Sequence, residues 1–419
     1  MSDFHQTGVI STLHRLGRRD VVSLERELVG HAEARPIALV LPCLHSELHD
    51  VALKGIIDQL RSVPYLAQVI VSVDGAPTRA HYDELCEAFA DVRTVDGARP
   101  TLLWNDGPRL QALIRELADQ GLDPGPPGKG RGVWLAMGAV IAGDRARLLA
   151  VHDCDIRDYS RELLARLCYP IANRNTNYEF VKGYYARVTD RIYGRVTRLF
   201  MTPFLRAMKS VLGPNPLLEF LDSFRFPLAG EFALTTDLAR SIRIPSDWGL
   251  EVGVLAEVYR ACSFKRIAQV ELVENYDHKH RDLSEHDATV GLHRMVTDIG
   301  GSLIRNLASY GIEFDAGFLN TLTTAYVRLA QDAVARYHDA AALNGLPFDR
   351  HAEELAVETF QAALRGAGLD FVRDPMGAPQ IPNWNRVTSA LPDFLPELQR
   401  AIDADATGSP GGQAPPGRS

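Results

Sequence analysis

Ile37-Ala-Leu-Val-Leu41, followed by Pro42-Cys-Leu-His-Ser-Glu47 and then by Val69-Ile-Val-Ser-Val-Asp-Gly75, decides the fold. The two β-branched, apolar runs read as buried strands, the first halted by Pro42 and the second ended by Asp74-Gly75. Between them Val51 to Leu60 carries helical apolar spacing, and a second helical stretch runs from about Ala80 to Phe89. Working outward, Thr101 to Trp104 is a third strand with Leu110 to Leu117 helical behind it, and Ala146 to Val151 is a fourth. Strands alternating with helices predict an α/β fold built on a mainly parallel sheet. In such sheets ligands bind beyond the carboxyl ends of the strands. Pro42 to Glu47, Asp74-Gly75 and His152 to Asp155 are therefore expected on one rim.

The 419 residues carry 46% hydrophobic and 23% charged side chains, which excludes fibrous and globally disordered classes. Lys and Arg total 45 against 53 Asp and Glu, a formal charge of -8, so broad nucleic-acid binding is not expected. The five cysteines, Cys43, Cys86, Cys154, Cys168 and Cys262, are scattered and never fall in a C-x-x-C pair. Free thiols in a cytoplasmic protein are expected, and no apolar run is long enough to cross a bilayer.

The chain divides into a polar and helical opening (1–35), an α/β region (36–283), a helical region (284–405) and a Gly, Pro and Ser-rich tail (406–419) expected to be disordered. In the helical region Met295, Ile299, Leu303 and Leu307 form one apolar stripe, and Leu319, Leu322, Tyr326, Leu329 and Ala333 another. Ser284 with Asp287 resembles a capping box. Packing or dimer contact is the role these stripes suggest, and a homodimer is expected.

Several clusters carry chemistry. Asp153-Cys-Asp155 follows a strand, where two carboxylates can turn toward a hard cation on a diphosphate. The same spacing at Asp403-Ala-Asp405 has no strand before it, so context alone separates the pair from chance. Pro126-Pro-Gly-Lys-Gly-Arg-Gly132 opens a helical run, Val133 to Ile141, and its backbone N–H groups and Lys129 suit a phosphate or a sugar. It is not a Walker A loop, because Gly130 and not Ser or Thr follows the lysine. From Lys182 to Lys209 the acidic chain turns basic. Arg187, Arg191, Arg195 and Arg198 have the spacing of one helix face, either solvated or an anion site. Glu231 follows a small-residue turn, and Asp247-Trp-Gly-Leu-Glu251 adds carboxylates beside an aromatic ring, a combination that suits a sugar; helix capping is the plainer role for Asp247. Asn275-Tyr-Asp-His-Lys-His-Arg281 follows the strand-like Arg266 to Val273; His278 and His280 would point to opposite sides of a continued strand, so only one could be a ligand, and a structural histidine is the plainer role.

In order, Pro127-Gly-Lys-Gly130, Asp153-Cys-Asp155, Phe180-Val-Lys-Gly-Tyr184, Gly194-Arg-Val-Thr197, Gly230-Glu231 and Gly249-Leu-Glu251 with His278 resemble the motifs of the GT-A nucleotide-sugar glycosyltransferases. Within them the match is to the retaining glucosyl-3-phosphoglycerate synthases, and it runs from about Ile37 to Leu283. The resemblance implies a GT-A, Rossmann-like nucleotide-sugar-binding domain, with a donor half (about 36–155) and an acceptor half (about 156–283). It further implies transfer of glucose, with retention, from UDP- or GDP-glucose to 3-phosphoglycerate. Asp155 and His278 would bind Mg2+ or Mn2+. Pro42, Leu44, Glu47, Asp74, Lys129, Asp153, Glu231 and Glu251 would hold the donor, and Gly194, Arg195 and Thr197 the acceptor. Asp155, Glu231 and Lys129 would be the catalytic residues. Pro42-Cys-Leu-His-Ser-Glu47 stands where family members read P-A-L-N/D-E-E, so the resemblance does not rank the donor bases. Close variants would use mannose or free glycerate. A sugar-phosphate nucleotidyltransferase would need its glycine-rich loop after the first strand, a glycosidase needs no nucleotide site, and a noncatalytic scaffold would not need the metal and acceptor motifs.

Overall fold

The computed structural model describes residues 6, 8–17, 19–277, 291–377 and 380–408. Its strands are β1 (Ser11–Leu13), β2 (Ile37–Leu44), β3 (Leu66–Asp74), β4 (Thr101–Trp104), β5 (Leu148–Val151), β6 (Phe180–Ala186), β7 (Phe232–Thr235) and β8 (Ile267–Asn275). They form one sheet in the order β1-β8-β6-β7-β5-β2-β3-β4. β7 runs antiparallel to both neighbours, and every other pairing is parallel. The mainly parallel α/β sheet expected from the sequence is thus present, and the opening segment supplies its edge strand β1.

The central strands are apolar on both faces because helices cover both. Along β2, Ala38 and Val40 point to a layer that contains Trp134, Met137 and Val140 of the helix Lys129–Gly143. The alternate residues Leu39 and Leu41 point to Leu53, Ile56 and Leu164, from the helices Val51–Leu60 and Arg161–Ala172.

Pro42 does not end β2, which continues to Leu44 beside β3. The Val40 carbonyl faces β5 and accepts from the His152 N–H at 3.1 Å, so Pro42, two residues on, also turns to that side. There the ladder with β5 has already stopped at Val40 and Val151, and the N–H that proline lacks has no partner to lose.

The helical region packs on the acceptor half. Its helices Gly291–Ser309, Ala316–Leu343 and Arg350–Arg373 close around Phe200, whose ring meets Tyr326 and Phe360. The Tyr326 hydroxyl donates to the Leu199 carbonyl at 2.9 Å. Further on, Trp384 stacks on Trp134 with ring centroids 4.1 Å apart. The last helix, Phe394–Thr407, includes Ala406 and Thr407, which composition had placed in the tail. Asp405 is buried there and accepts from Arg109 at 2.7 Å, so Asp403-Ala-Asp405 serves packing. Ser284 and Asp287 lie outside the described residues.

Candidate active site

One cavity of about 1190 Å³ opens at the carboxyl ends of the strands. β2 delivers Pro42 and Leu44 to it and the short helical turn His45–His49 that follows delivers Glu47, the end of β3 delivers Asp74 with Gly75 next to it, and the loop after β5 delivers Asp153 and Asp155. The expected rim is therefore formed. Gly194, Arg195 and Thr197 line the same cavity, as do Lys129 and Glu251.

The acidic end is organised around Lys129. Its ammonium donates to Asp153 Oδ1 at 2.8 Å and to Glu251 Oε1 at 2.8 Å. Burial opposes that charge, but the two carboxylates hold it well above the ordinary lysine range. For Asp155, burial first and then the neighbouring Asp153 push the carboxyl up to about 7, with Glu47 and Glu231 adding to the repulsion and Lys129 pulling the other way. Five carboxylates, Asp153, Glu251, Asp155, Glu47 and Glu231, gathered about Lys129 leave an excess of negative charge, a setting that a divalent cation relieves. Among the described residues no three side chains form a ready cage for a metal. Oxygen donors without a closed cage suit Mg2+ or Mn2+, which keep positions open for phosphate oxygens and water. His278 lies outside the described residues. The chain is held just before it, where the Arg157 N–H donates to the Asp277 carbonyl at 2.9 Å.

Two glycines explain how these groups come together. A Cβ on Gly230 would lie 2.2 Å from Asp153 Oδ2, so only glycine lets the lead-in to β7 pass that carboxylate. A Cβ on Gly130 would lie 1.9 Å from the Pro245 carbonyl oxygen. The glycine-rich loop is therefore shaped by packing against Pro245 and Ser246, and its contribution to the cavity is Lys129 flanked by Pro127 and Gly128.

Glu231 lies beneath the cavity wall. It is fully buried, and its two oxygens accept from the hydroxyls of Tyr185 and Tyr276, each at 2.7 Å. Those rings stack at 3.7 Å, and Tyr185 with Gly230 presents the surface that faces the cavity. Burial, and then Asp153, raise the Glu231 carboxyl above the ordinary range. Glu231 thus holds the Tyr185 hydroxyl. Asp247 does not cap the helix Leu250–Ala261, whose N-cap is Gly249; its Oδ1 accepts from the Gly249 N–H at 2.8 Å in the turn before it, and with Trp248 it lines the cavity.

The basic island is not a helix face. β6 ends at Ala186, Val188 bridges to Ile192 in a tight reversal, and Gly194 adopts φ +77°. Helix begins only at Val196, as a wider turn bonded i to i+5 that runs into the helix Thr202–Leu212. The reversal still brings Arg187, Arg191 and Arg195 to one wall of the cavity, while Arg198 turns away and is buried.

Two further residues shape the site: Lys182, which the sequence placed in a motif without a role, and Glu353, which it did not indicate. Lys182 is buried; its ammonium donates to the Ala229 carbonyl and lies 5.4 Å from the Phe232 ring centre, and burial lowers it to about 8. It fastens the turn that precedes Gly230. Glu353, in the first turn of the helix Arg350–Arg373, accepts from Arg195 Nε at 2.7 Å and from Arg198 Nη2 at 2.9 Å. The helical region therefore supplies a wall of the site as well as packing, and Leu292, Met295 and Phe348 line the cavity beside Glu353. The F-V-K-G motif pointed to Lys182; no spacing signal links Glu353 to a partner 158 residues away.

A parallel sheet with an acidic rim at its strand ends, facing a guanidinium wall across one cavity, defines a nucleotide-sugar glycosyltransferase of the GT-A type. No family model matches the chain. Among curated proteins, glucosyl-3-phosphoglycerate synthase of Persephonella marina is 44% identical over 97% of this chain and 99% of its own length. The same enzyme of Methanococcoides burtonii is 40% identical over 96% and 98%. The crystal structure of glucosyl-3-phosphoglycerate synthase from Mycobacterium tuberculosis with Mn2+, UDP-glucose and phosphoglyceric acid superimposes with a TM-score of 0.52 at 26% identity, covering 74% of this chain and 89% of that one. The chain belongs to the glucosyl-3-phosphoglycerate synthase family.

Proposed function

We propose that this protein transfers glucose, with retention of anomeric configuration, from UDP-glucose to 3-phosphoglycerate, giving glucosyl-3-phosphoglycerate, with Mg2+ or Mn2+ bound at Asp155. GDP-glucose is the alternative donor. The observation that carries the reading is the single cavity that joins the Asp153–Asp155 rim to Gly194, Arg195 and Thr197. The Mycobacterium tuberculosis relative, crystallised with UDP-glucose, phosphoglyceric acid and Mn2+, supports the choice of substrates.

The residues divide the work. Pro42, Leu44, Glu47 and Asp74, at the ends of β2 and β3, hold the nucleoside. Burial pushes Asp74 up to about 6. Lys129, pinned by Asp153 and Glu251, places a fixed positive charge beside the diphosphate, and Asp153 and Glu251 keep oxygens for sugar hydroxyls. When bound, the cation neutralises charge on the diphosphate. Arg195, held by Glu353, offers its outer nitrogens to the acceptor carboxylate or phosphate, a planar match. The acceptor hydroxyl then attacks on the face that the diphosphate leaves. Its proton passes to the departing phosphate oxygen, so no separate protein base is required.

A cytoplasmic location belongs to the same reading and is supported by five unpaired cysteines. Among the described residues no helix is long and apolar enough to cross a membrane. A homodimer is also proposed, and light scattering counts the chains. The reaction is tested by proton NMR of the protein with UDP-glucose, 3-phosphoglycerate and Mn2+. An α-anomeric signal on glucosyl-3-phosphoglycerate is expected. A β-anomeric product, or pyrophosphate released from UTP and glucose 1-phosphate, would remove the reading.

A further inference from the structure

Five cationic side chains line the cavity, and four of them are engaged by carboxylates. Lys129 is held by Asp153 and Glu251, Arg191 by Asp190, Arg195 by Glu353 and Arg294 by Asp298. Arg187 differs. Among the described residues its guanidinium has no hydrogen bond and no ion pair within 4 Å, and its Nε is fully shielded from solvent without a partner.

Its position is set by the backbone. The Arg187 carbonyl accepts from the Tyr193 N–H at 2.8 Å, closing the reversal between β6 and Gly194. The side chain lies along Gly194, with Cδ 3.7 Å and Nη1 4.0 Å from where a Cβ on that glycine would stand. The titratable groups it faces are Tyr185, Tyr276, Asp155 and Glu231. The guanidinium therefore lines the cavity behind the first residue of the acceptor segment, within electrostatic reach of Asp155 and Glu231 of the donor end. A half-buried guanidinium with a shielded, unpartnered N–H and no carboxylate in contact is costly, and a bound anion completes it.

We propose that Arg187 is a catalytic residue of the transfer, and that its guanidinium hydrogen-bonds the departing phosphate of the donor diphosphate. The proposal rests on the reaction given above. In that step the bond from the anomeric carbon to the phosphate oxygen breaks and a bond to the acceptor oxygen forms. The electron pair of the broken bond stays on the phosphate, and the acceptor proton moves to it. Arg187 remains protonated and meets the charge as it develops, which is where a preorganised donor is most effective.

The test is the kinetics of R187A and R187K with UDP-glucose, 3-phosphoglycerate and Mn2+. In R187A, kcat with both substrates saturating is expected to fall about 100- to 1000-fold, the usual loss for one such donor, with the acceptor KM within about threefold of wild type. Added methylguanidinium should recover about tenfold of the lost turnover, and R187K should retain an intermediate kcat. A raised acceptor KM at unchanged kcat would make Arg187 an acceptor anchor and overturn the assignment. So would unchanged kinetics in a folded R187A, or a lost kcat that methylguanidinium does not recover. If R187A does not fold by circular dichroism, the same division between kcat and KM is read from R187K and R187Q. Wild-type enzyme that makes no product would count against the reaction itself, whereas an active wild type with an unimpaired R187A counts against this role alone.

Discussion

Replacing Glu353 separates the contribution of the helical region from that of the sheet. The carboxylate is 6% exposed and takes charge-assisted bonds from Arg195 and Arg198, of which Arg198 is itself only 7% exposed. Removing one member of a buried pair costs about 3 to 5 kcal/mol. Arg198 keeps the Tyr193 carbonyl at 2.8 Å and Arg195 is 32% exposed, so the low end, about 3 kcal/mol, applies to E353A. With an unfolding entropy of about 2 cal/mol/K per residue, a chain of this size should lose roughly 4 °C in Tm. Arg195, no longer held, samples several rotamers. An interaction of about 1.5 to 3 kcal/mol is lost from the acceptor complex, and kcat/KM for 3-phosphoglycerate should fall about 10- to 100-fold. The donor KM should stay near wild type, because Glu353 bonds Arg195 and Arg198 and not Lys129, Asp153 or Glu251. Initial rates across 3-phosphoglycerate at saturating UDP-glucose, with a thermal melt of the same samples, measure both effects. E353Q, which keeps the shape and loses the charge, should show most of the kinetic loss. Wild-type acceptor kinetics in both variants would refute the claim that Glu353 positions Arg195.

Three other outcomes are expected. In G230A the new methyl must displace the Asp153 carboxylate, so turnover should fall at least about tenfold with little change in the acceptor KM; unchanged rates across a Mn2+ titration would contradict this. Y185F removes one donor to buried Glu231, at a cost of about 1 to 3 kcal/mol in stability by thermal melt, and it should also lower kcat by disturbing the cavity wall; an unchanged melting curve argues against the contact. Asp298 is pushed up to about 6, first by burial and then by Asp247, so the native chain holds a proton between about pH 4 and 6 that the unfolded chain has released. Its contribution to stability is present below pH 4 and is lost as pH rises to 6. D298N, measured against wild type by urea melts in that window, should become relatively more stable with rising pH, by on the order of 1 to 2 kcal/mol after allowance for partial screening.

The alternation of strands and helices was legible because buried parallel strands are apolar on both faces. Val51–Leu60 and Thr101–Trp104 fall where their patterns put them. β7 escaped notice because four residues are too few to show a period, and its antiparallel direction follows only from its neighbours. Pro42 misled because the effect of a proline in a strand depends on where the next strand stops. The arginine spacing from 187 to 198 matched a helix by coincidence, since Gly194 and the Val188–Ile192 bridge forbid one, yet the residues still meet at one wall. Lys129, Asp153, Asp155 and Glu251 were readable from local motifs at strand ends and helix starts. Glu353 and the stacked tyrosines over Glu231 were not, because tertiary packing joins segments that share no pattern.

The most direct measurement is the mass of the product formed from UDP-glucose and 3-phosphoglycerate by the wild type, D155A and R195A, each with Mn2+. One cavity serving both substrates predicts glucosyl-3-phosphoglycerate from the wild type, none from D155A, and product from R195A only as acceptor is raised well above the wild-type KM. Wild-type rates from D155A, or an R195A enzyme with unchanged acceptor dependence, would contradict it.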